Sequence, residues 1–141
     1  NGDRDTAERE YRQILAAKER LFGETLPTVP ALQSLAGLLQ RQGRFTEAAA
    51  LLHRAVDVQE RLLPPESPAL SGTLLLLGMV YREQRHFAPA ESVLRWALLI
   101  REKHSGPNHA QTLLIQRNLG TTLTLMGRHT EAELLLVRVL D

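Results

Sequence analysis

Apolar residues recur along this chain at helical spacing. Leu32, Leu35, Ala36 and Leu39 form one stripe, and Ala48, Leu52, Ala55 and Val56 form a second. Residues three and four apart share one face of an α-helix, so each stripe predicts the buried side of an amphipathic helix. The stripes then repeat. Leu35, Leu77 and Leu119 are 42 residues apart, as are Ala48, Ala90 and Ala132, and Leu52, Leu94 and Leu136. Val56, Leu98 and Leu140 keep the step, and so do Glu60 and Glu102. Ahead of them, Ala7, Tyr11, Ile14, Leu15 and Glu19 match Ala48, Leu52, Ala55, Val56 and Glu60 with a step of 41. A fixed step of this length predicts a stack of like units, each unable to bury its faces alone.

Each unit reads as two helices joined by a tight turn. The turns are Gln42-Gly43-Arg44-Phe45, Gln84-Arg85-His86-Phe87 and Met126-Gly127-Arg128-His129. Gly43 and Gly127 suit the left-handed residue that ends a helix. Arg85 breaks the pattern, at a cost of about 1 kcal/mol if the geometry is kept. Pro27, Pro30, Pro64, Pro65, Pro68 and Pro107 cluster between units, and Pro89 falls in a first helical turn. The predicted helices are 4–22, 28–42, 45–63, 68–84, 87–104, 109–126 and 129–140. Ala36, Gly78 and Gly120, facing Ala48, Ala90 and Ala132, predict a close approach of the two helices in each pair. The expected fold is all-α: a solenoid of antiparallel helix pairs with about seven helices.

Composition agrees with this pattern and narrows the function. The 141 residues include 28 Leu and 15 Ala against 7 Val and 3 Ile, a bias towards helix. A net charge of +1 and 4% aromatic residues argue against a nucleic-acid partner. The longest apolar run, Leu74 to Tyr81, is far short of a bilayer span, so no membrane partner is expected. The chain has no cysteine, hence no disulfide, thiolate metal site or cysteine nucleophile. No phosphate-binding glycine loop, G–x–S–x–G or H–E–x–x–H motif is present. His104 and His109 flank a linker but lack further ligands. Glu131 and Glu133 read as helix-start acids, and Trp96 as a packing residue. No catalytic residue, metal or cofactor is expected.

The order Leu–small–x–x–Leu/Tyr, turn, Phe–x–x–Ala resembles the tetratricopeptide repeat. The usual period there is 34 residues, and the longer period here is similar to the kinesin-light-chain-like subclass. Arg101-Glu102-Lys103-His104-Ser105-Gly106-Pro107-Asn108-His109 resembles that subclass's linker. Asn118-Leu119-Gly120 and Gly127-Arg128-His129-Thr130-Glu131-Ala132-Glu133 resemble its first helix and turn. Lys18-Glu19-Arg20-Leu21-Phe22-Gly23 is an earlier copy. The resemblance implies a right-handed superhelix that binds a protein or peptide on a concave surface lined by the first helices.

Helical spacing then selects the residues facing that surface. The candidate binding residues are Gln33, Gln40 and Arg41, then Leu75, Met79 and Arg82, then Arg117, Asn118 and Thr121. The resemblance implies that Asn118 grips a bound backbone; its counterparts are Ser34 and Leu76. The Lys/Asn/Arg carboxylate clamp of some relatives has no match at Gln33, Gly37, Leu76 and Leu114. Leu75, Leu76 and Met79 have two readings. Either they floor an apolar groove flanked by Arg41, Arg82 and Arg117, suited to an apolar anchor with an acidic neighbour, or they pack against a neighbouring helix.

The leading expectation is a cytoplasmic, non-catalytic interaction module. Its expected layout is one repeat domain, 1–141, with a half-repeat at 1–26 and repeats at 27–67, 68–109 and 110–141. The chain does not begin with Met, which points to a fragment of a longer array. Ala7, Tyr11, Ile14 and Leu15 lack a preceding helix, and Leu134, Leu135, Leu136, Val139 and Leu140 lack a following one. A homo-oligomeric or structural segment of a larger repeat protein is therefore an alternative, as is the regulatory domain of a larger enzyme.

Overall fold

The computed structural model describes the backbone of residues 2–140 and the side chains of residues 2–137. It holds α1 (Gly2–Phe22), a 3₁₀ turn (Leu26–Thr28), α2 (Val29–Arg41), α3 (Phe45–Leu62) and α4 (Pro68–Glu83). These are followed by α5 (Phe87–Ser105), α6 (Ala110–Leu125) and α7 (His129–Leu140). No strand occurs among the described residues, so the class is all-α, as expected. No helix among them is long and apolar enough to cross a membrane. The chain divides into two compact units that part between Pro65 and Glu66. In the first, α2 packs against both α1 and α3; in the second, α5 packs against α4 and α6, and α6 against α7.

The repeating stripes are the cores of these units. Leu32, Leu35 and Leu39 of α2 are buried with Ala48, Leu52 and Ala55 of α3. Leu74 and Leu77 of α4 are buried with Leu94 and Ala97 of α5, and Leu119 and Leu123 of α6 with Ala132 of α7. Small residues set the spacing within a pair. A Cβ on Gly78 would lie 2.6 Å from Leu94 Cγ, and one on Gly120 would lie 2.9 Å from Leu136 Cδ2. Neither leaves room for a methyl, so the leucine sits directly on the opposing backbone. On α1, Leu15 is buried, Ala7 and Tyr11 are half-buried, and Ile14 is 47% exposed. On α7, Leu134 and Val137 are exposed, while the side chains of Val139 and Leu140 lie outside the described residues.

All three helix-pair turns close in the same way. The N–H groups of Arg44, His86 and Arg128 donate to the carbonyls of Leu39, Tyr81 and Leu123, each at 2.9 Å. This is the six-residue Schellman closure, and it requires a left-handed residue one position earlier. Gly43 and Gly127 occupy it with φ of 77° and 81°. Arg85 occupies it too, with φ of 63°, so the strain expected from the sequence is present. Its guanidinium lies 5.7 Å from the Phe87 ring centroid, a contact that offsets part of the cost.

Each unit carries the same four-charge network at its surface. Arg44 donates to Glu8 at 2.7 Å and to Glu47 at 2.9 Å, while Arg12 pairs with Glu8 and Glu47 at 2.9 and 3.3 Å. In the second unit Arg128, Glu91, Arg95 and Glu131 repeat it, with Arg128–Glu91 at 2.7 Å and Arg95–Glu131 at 3.2 Å. The turn arginine thus ties its own helix pair to the preceding second helix. The hydrogen bond from Arg44, then that from Arg12, hold the Glu8 carboxyl below its ordinary range, and Arg44 does the same to Glu47. Burial pushes Glu91 upward, but the hydrogen bonds from Arg95 and Arg128 together outweigh it and leave it lowered.

One core position departs from the pattern. Gln116 of α6 is fully buried where the repeat elsewhere has the buried Leu32 and Leu74. Its Nε2 donates to Glu102 at 3.4 Å, and its Oε1 has no partner. A buried, unsatisfied amide oxygen costs about 1–3 kcal/mol.

Three outcomes follow for stability, each read by thermal or urea denaturation. Arg85→Gly removes the left-handed strain and stabilises by about 0.5–1 kcal/mol, net of the lost ring contact. Gln116→Leu restores the repeat's apolar residue and stabilises by about 1 kcal/mol. Glu91→Gln destabilises at pH 7. Because its folded pKa is lowered, the unfolded chain takes up the proton first as pH falls, so the ionised group stabilises above about pH 5 and ceases to as pH drops through the folded value. The gap between the wild type and Glu91→Gln should therefore close in acid. A gap that stays constant down to about pH 3 would count against this role for the network.

Candidate functional site

The second unit brings two first helices, α4 and α6, side by side. Helical spacing places Leu75, Met79 and Arg82 on one stripe of α4, and Leu114, Arg117, Asn118 and Thr121 on one stripe of α6. Several features fix α6. The His109 side chain caps it, its Nδ1 accepting from the Gln111 N–H at 3.1 Å. The Thr112 hydroxyl donates to the Gly106 carbonyl at 2.8 Å, which pins the linker to the first turn. Gly106 itself has a φ of 82°, a conformation that suits glycine.

Two of the expected residues meet directly. Arg82 Nη1 donates to Asn118 Oδ1 at 3.1 Å, and Asn118 Nδ2 donates to the Leu114 carbonyl at 2.9 Å. Asn118 is 8% exposed, so its amide is a buried bracket that orients Arg82. A guanidinium carries five N–H donors, and Asn118 engages one. Among the described residues, neither Arg82 nor Arg117 forms an ion pair, whereas Arg12, Arg44, Arg54, Arg95 and Arg128 all do. Arg117 and Thr121 are exposed. The Thr121 hydroxyl proton is given to the Arg117 carbonyl at 2.9 Å, leaving the oxygen as an acceptor.

An open groove of about 400 Å³ lies along α6, lined by Ala110, Gln111, Leu113, Leu114 and Arg117. Leu113 and Leu114 are half-buried and give it an apolar wall. Leu113 was not among the expected residues, although it lies one turn before Arg117 on the same face. Its signal was the Leu113-Leu114 pair at the start of a helix, where both sides of a stripe stay open.

The remaining expected residues are placed as follows. Leu75 is 7% exposed, so it packs in this chain instead of presenting an open floor. Leu76 and Met79 are half-buried. In the first unit, Gln33 and Gln40 are half-buried and Arg41 is exposed. Arg41 folds along its own helix: its Nη1 lies 3.8 Å from the point a Cβ on Gly37 would occupy. Trp96 keeps 38% of its surface exposed, more than a packing residue needs. Among the described residues, no group of three His, Cys, Asp or Glu side chains is placed to hold a metal ion.

This face thus carries a braced arginine, Arg82, an exposed one, Arg117, and an apolar groove along α6. Comparison with known proteins places it in a family. The tetratricopeptide repeat profile matches residues 27–103, and a second profile of the same name matches residues 112–141. The chain is 32% identical over 93 residues to human tetratricopeptide repeat protein 19, mitochondrial; the match covers 65% of this chain and 24% of that protein. A solved structure of BtubC (BKLC) from P. vanneervenii matches with a TM-score of 0.88 at 25% identity, over 99% of this chain and 55% of that one. The nearly identical TPR-like repeats of a putative kinesin light chain from Podosopora anserina match with a TM-score of 0.82 at 25% identity, over 99% of this chain and 66% of that one. The chain belongs to the tetratricopeptide repeat family, and its structural neighbours are proteins of the kinesin-light-chain-like kind.

Proposed function

We propose that this chain binds a peptide or protein segment on the face of α4 and α6, as a non-catalytic interaction module. Tetratricopeptide repeats in general are non-catalytic modules for protein–protein interaction. The layout fits a half-repeat at 1–26 followed by repeats at 27–67, 68–109 and 110–141. The observation that carries the reading is Arg82. It is half-buried, is held by a buried asparagine, and has no carboxylate partner among the described residues. Arg117 and the wall of Leu113 and Leu114 lie on the adjoining helix. The ligand that fits is a segment with one apolar anchor and a nearby acidic residue. The anchor enters the groove and the carboxylate takes guanidinium N–H bonds, which are stronger than neutral ones.

A displayed library of short peptides tests this. Selected sequences should pair a Leu, Met or aromatic residue with Asp or Glu. Arg82→Ala and Arg117→Ala should each weaken binding about tenfold, the scale of one hydrogen bond to a charged group. Gln33→Ala on α2 should leave it unchanged. Selection of peptides without acidic residues, or full binding by Arg82→Ala, would overturn the proposal.

A further inference from the structure

Of helices α2 to α6, α6 is the one whose N-terminus is closed by a side-chain hydrogen bond, and it also carries the groove. Thr28, Arg44, Ser67 and His86 precede α2, α3, α4 and α5, and no side chain of theirs caps its helix. His109 precedes α6 with φ of −70° and ψ of 144°, and its Nδ1 accepts from the Gln111 N–H at 3.1 Å. An acceptor there satisfies one of the N–H groups left open at a helix start. One and two steps of 42 earlier stand Ser67 and Thr25, hydroxyl residues that keep one charge at ordinary pH. The copy at His109 has a titratable group instead.

An imidazole nitrogen accepts only while it is bare. Protonation turns Nδ1 into a donor, breaks the bond to Gln111, and puts a positive charge at the positive end of the helix dipole. Both effects oppose the first turn of α6. That turn is part of the groove, since Ala110, Gln111 and Leu113 line it with Leu114 and Arg117. No carboxylate among the described residues answers the added charge. At the adjoining end of α5, Arg101 donates to Ser71 and the Pro68 carbonyl, Glu102 accepts from Gln116, Lys103 pairs with Glu66, and His104 is exposed. α4 has no ionisable side chain before Tyr81. On α7, Glu131 pairs with Arg95 and Arg128, His129 and Glu133 are exposed, and the Arg138 side chain lies outside the described residues. On α6 itself the charged residue is Arg117, two turns along. We infer that His109 is a pH-sensitive cap: as pH falls from about 7.5 to 5.5, where imidazoles ordinarily titrate, the first turn of α6 loosens and the groove loses grip on its ligand. The folded chain uses the neutral ring, so the stabilisation is present at the higher pH and lost on acidification. The loss of grip rests on the binding role proposed for the groove; the loosening does not.

NMR of the full 141-residue chain tests it. Between about pH 7.5 and 5.5, the Cα chemical shifts of Ala110, Gln111 and Leu113 should move from helical towards coil values as the His109 ring titrates. The population of the open first turn should rise about fivefold, the scale of one cap. His109→Asn supplies a capping oxygen that no proton disables in this range, and should keep the helical shifts throughout. His109→Ala removes the cap and should show the loosened shifts at both ends of the range. The library peptide that binds best at about pH 7.5, chosen without histidine, should bind the wild type about fivefold more weakly at about pH 5.5 and bind His109→Asn equally at both. First-turn shifts that stay helical while the ring titrates, or that move as far in His109→Asn as in the wild type, would overturn the inference. So would a peptide that loses the same affinity for both chains. A library with no binder at either pH would instead overturn the proposed function, because the shifts read the cap with no ligand present.

Discussion

The close approach of paired helices at one small residue governs the rest of this structure. Leu94 lies on the backbone at Gly78, and Leu136 lies on that at Gly120. A methyl at either place has no room, and forcing extra volume into a packed core costs about 1–3 kcal/mol. With the pair drawn this close, Leu77 and Leu119 have no route outward and fill the interior. The opposite faces of α4 and α6 are then left over. Met79 and Arg82 stay half-buried and Arg117 and Thr121 exposed, because the inward contacts are already made by other residues on the same helices.

Electrostatics adds direction to this packing without adding core. The turn arginines, Arg44 and Arg128, follow the left-handed residue at each turn, where the chain has just reversed. From there each reaches Glu8 or Glu91 on the preceding second helix at 2.7 Å. The intervening copy of the repeat carries Ala49, His53, His86 and Pro89 at the four positions of the network, none of them a carboxylate. There the arginine has moved one residue earlier, to Arg85, and occupies the strained turn position instead. The network is thus a property of each compact unit, while the Schellman turn belongs to every pair.

Much of the fold was legible because it rests on periodicity. The stripes through Leu35, Leu77 and Leu119 and the clustered prolines located the helices, since both depend on local backbone geometry. The 3₁₀ turn at Leu26–Thr28 was not anticipated; it depends on Thr28 donating to the Gly23 carbonyl at 2.7 Å, a contact no stripe encodes. The candidate surface was legible only in part. Spacing gave the face of α6, but helical spacing alone cannot tell an outward leucine from one that packs. Leu75 and Met79 share a stripe, yet the first is buried and the second half-buried. The Arg82–Asn118 bond was hidden for another reason: it joins residues 36 apart, on different helices, and depends on both rotamers.

On the proposed binding face, that bond holds one arginine in place. One step of 42 before Arg82 stands Gln40, and Arg41 is the arginine beside it. Arg41 lies back along α2 over Gly37, a conformation it must leave to reach a ligand. Arg82 is braced by Asn118, whose own amide is fixed by the Leu114 carbonyl. An arginine loses up to about 2 kcal/mol of rotamer entropy when immobilised, and the part lost on folding is not lost again on binding. Polar satisfaction inside the unit therefore becomes preorganisation at its surface. The buried asparagine thus fixes the half-buried guanidinium on this face.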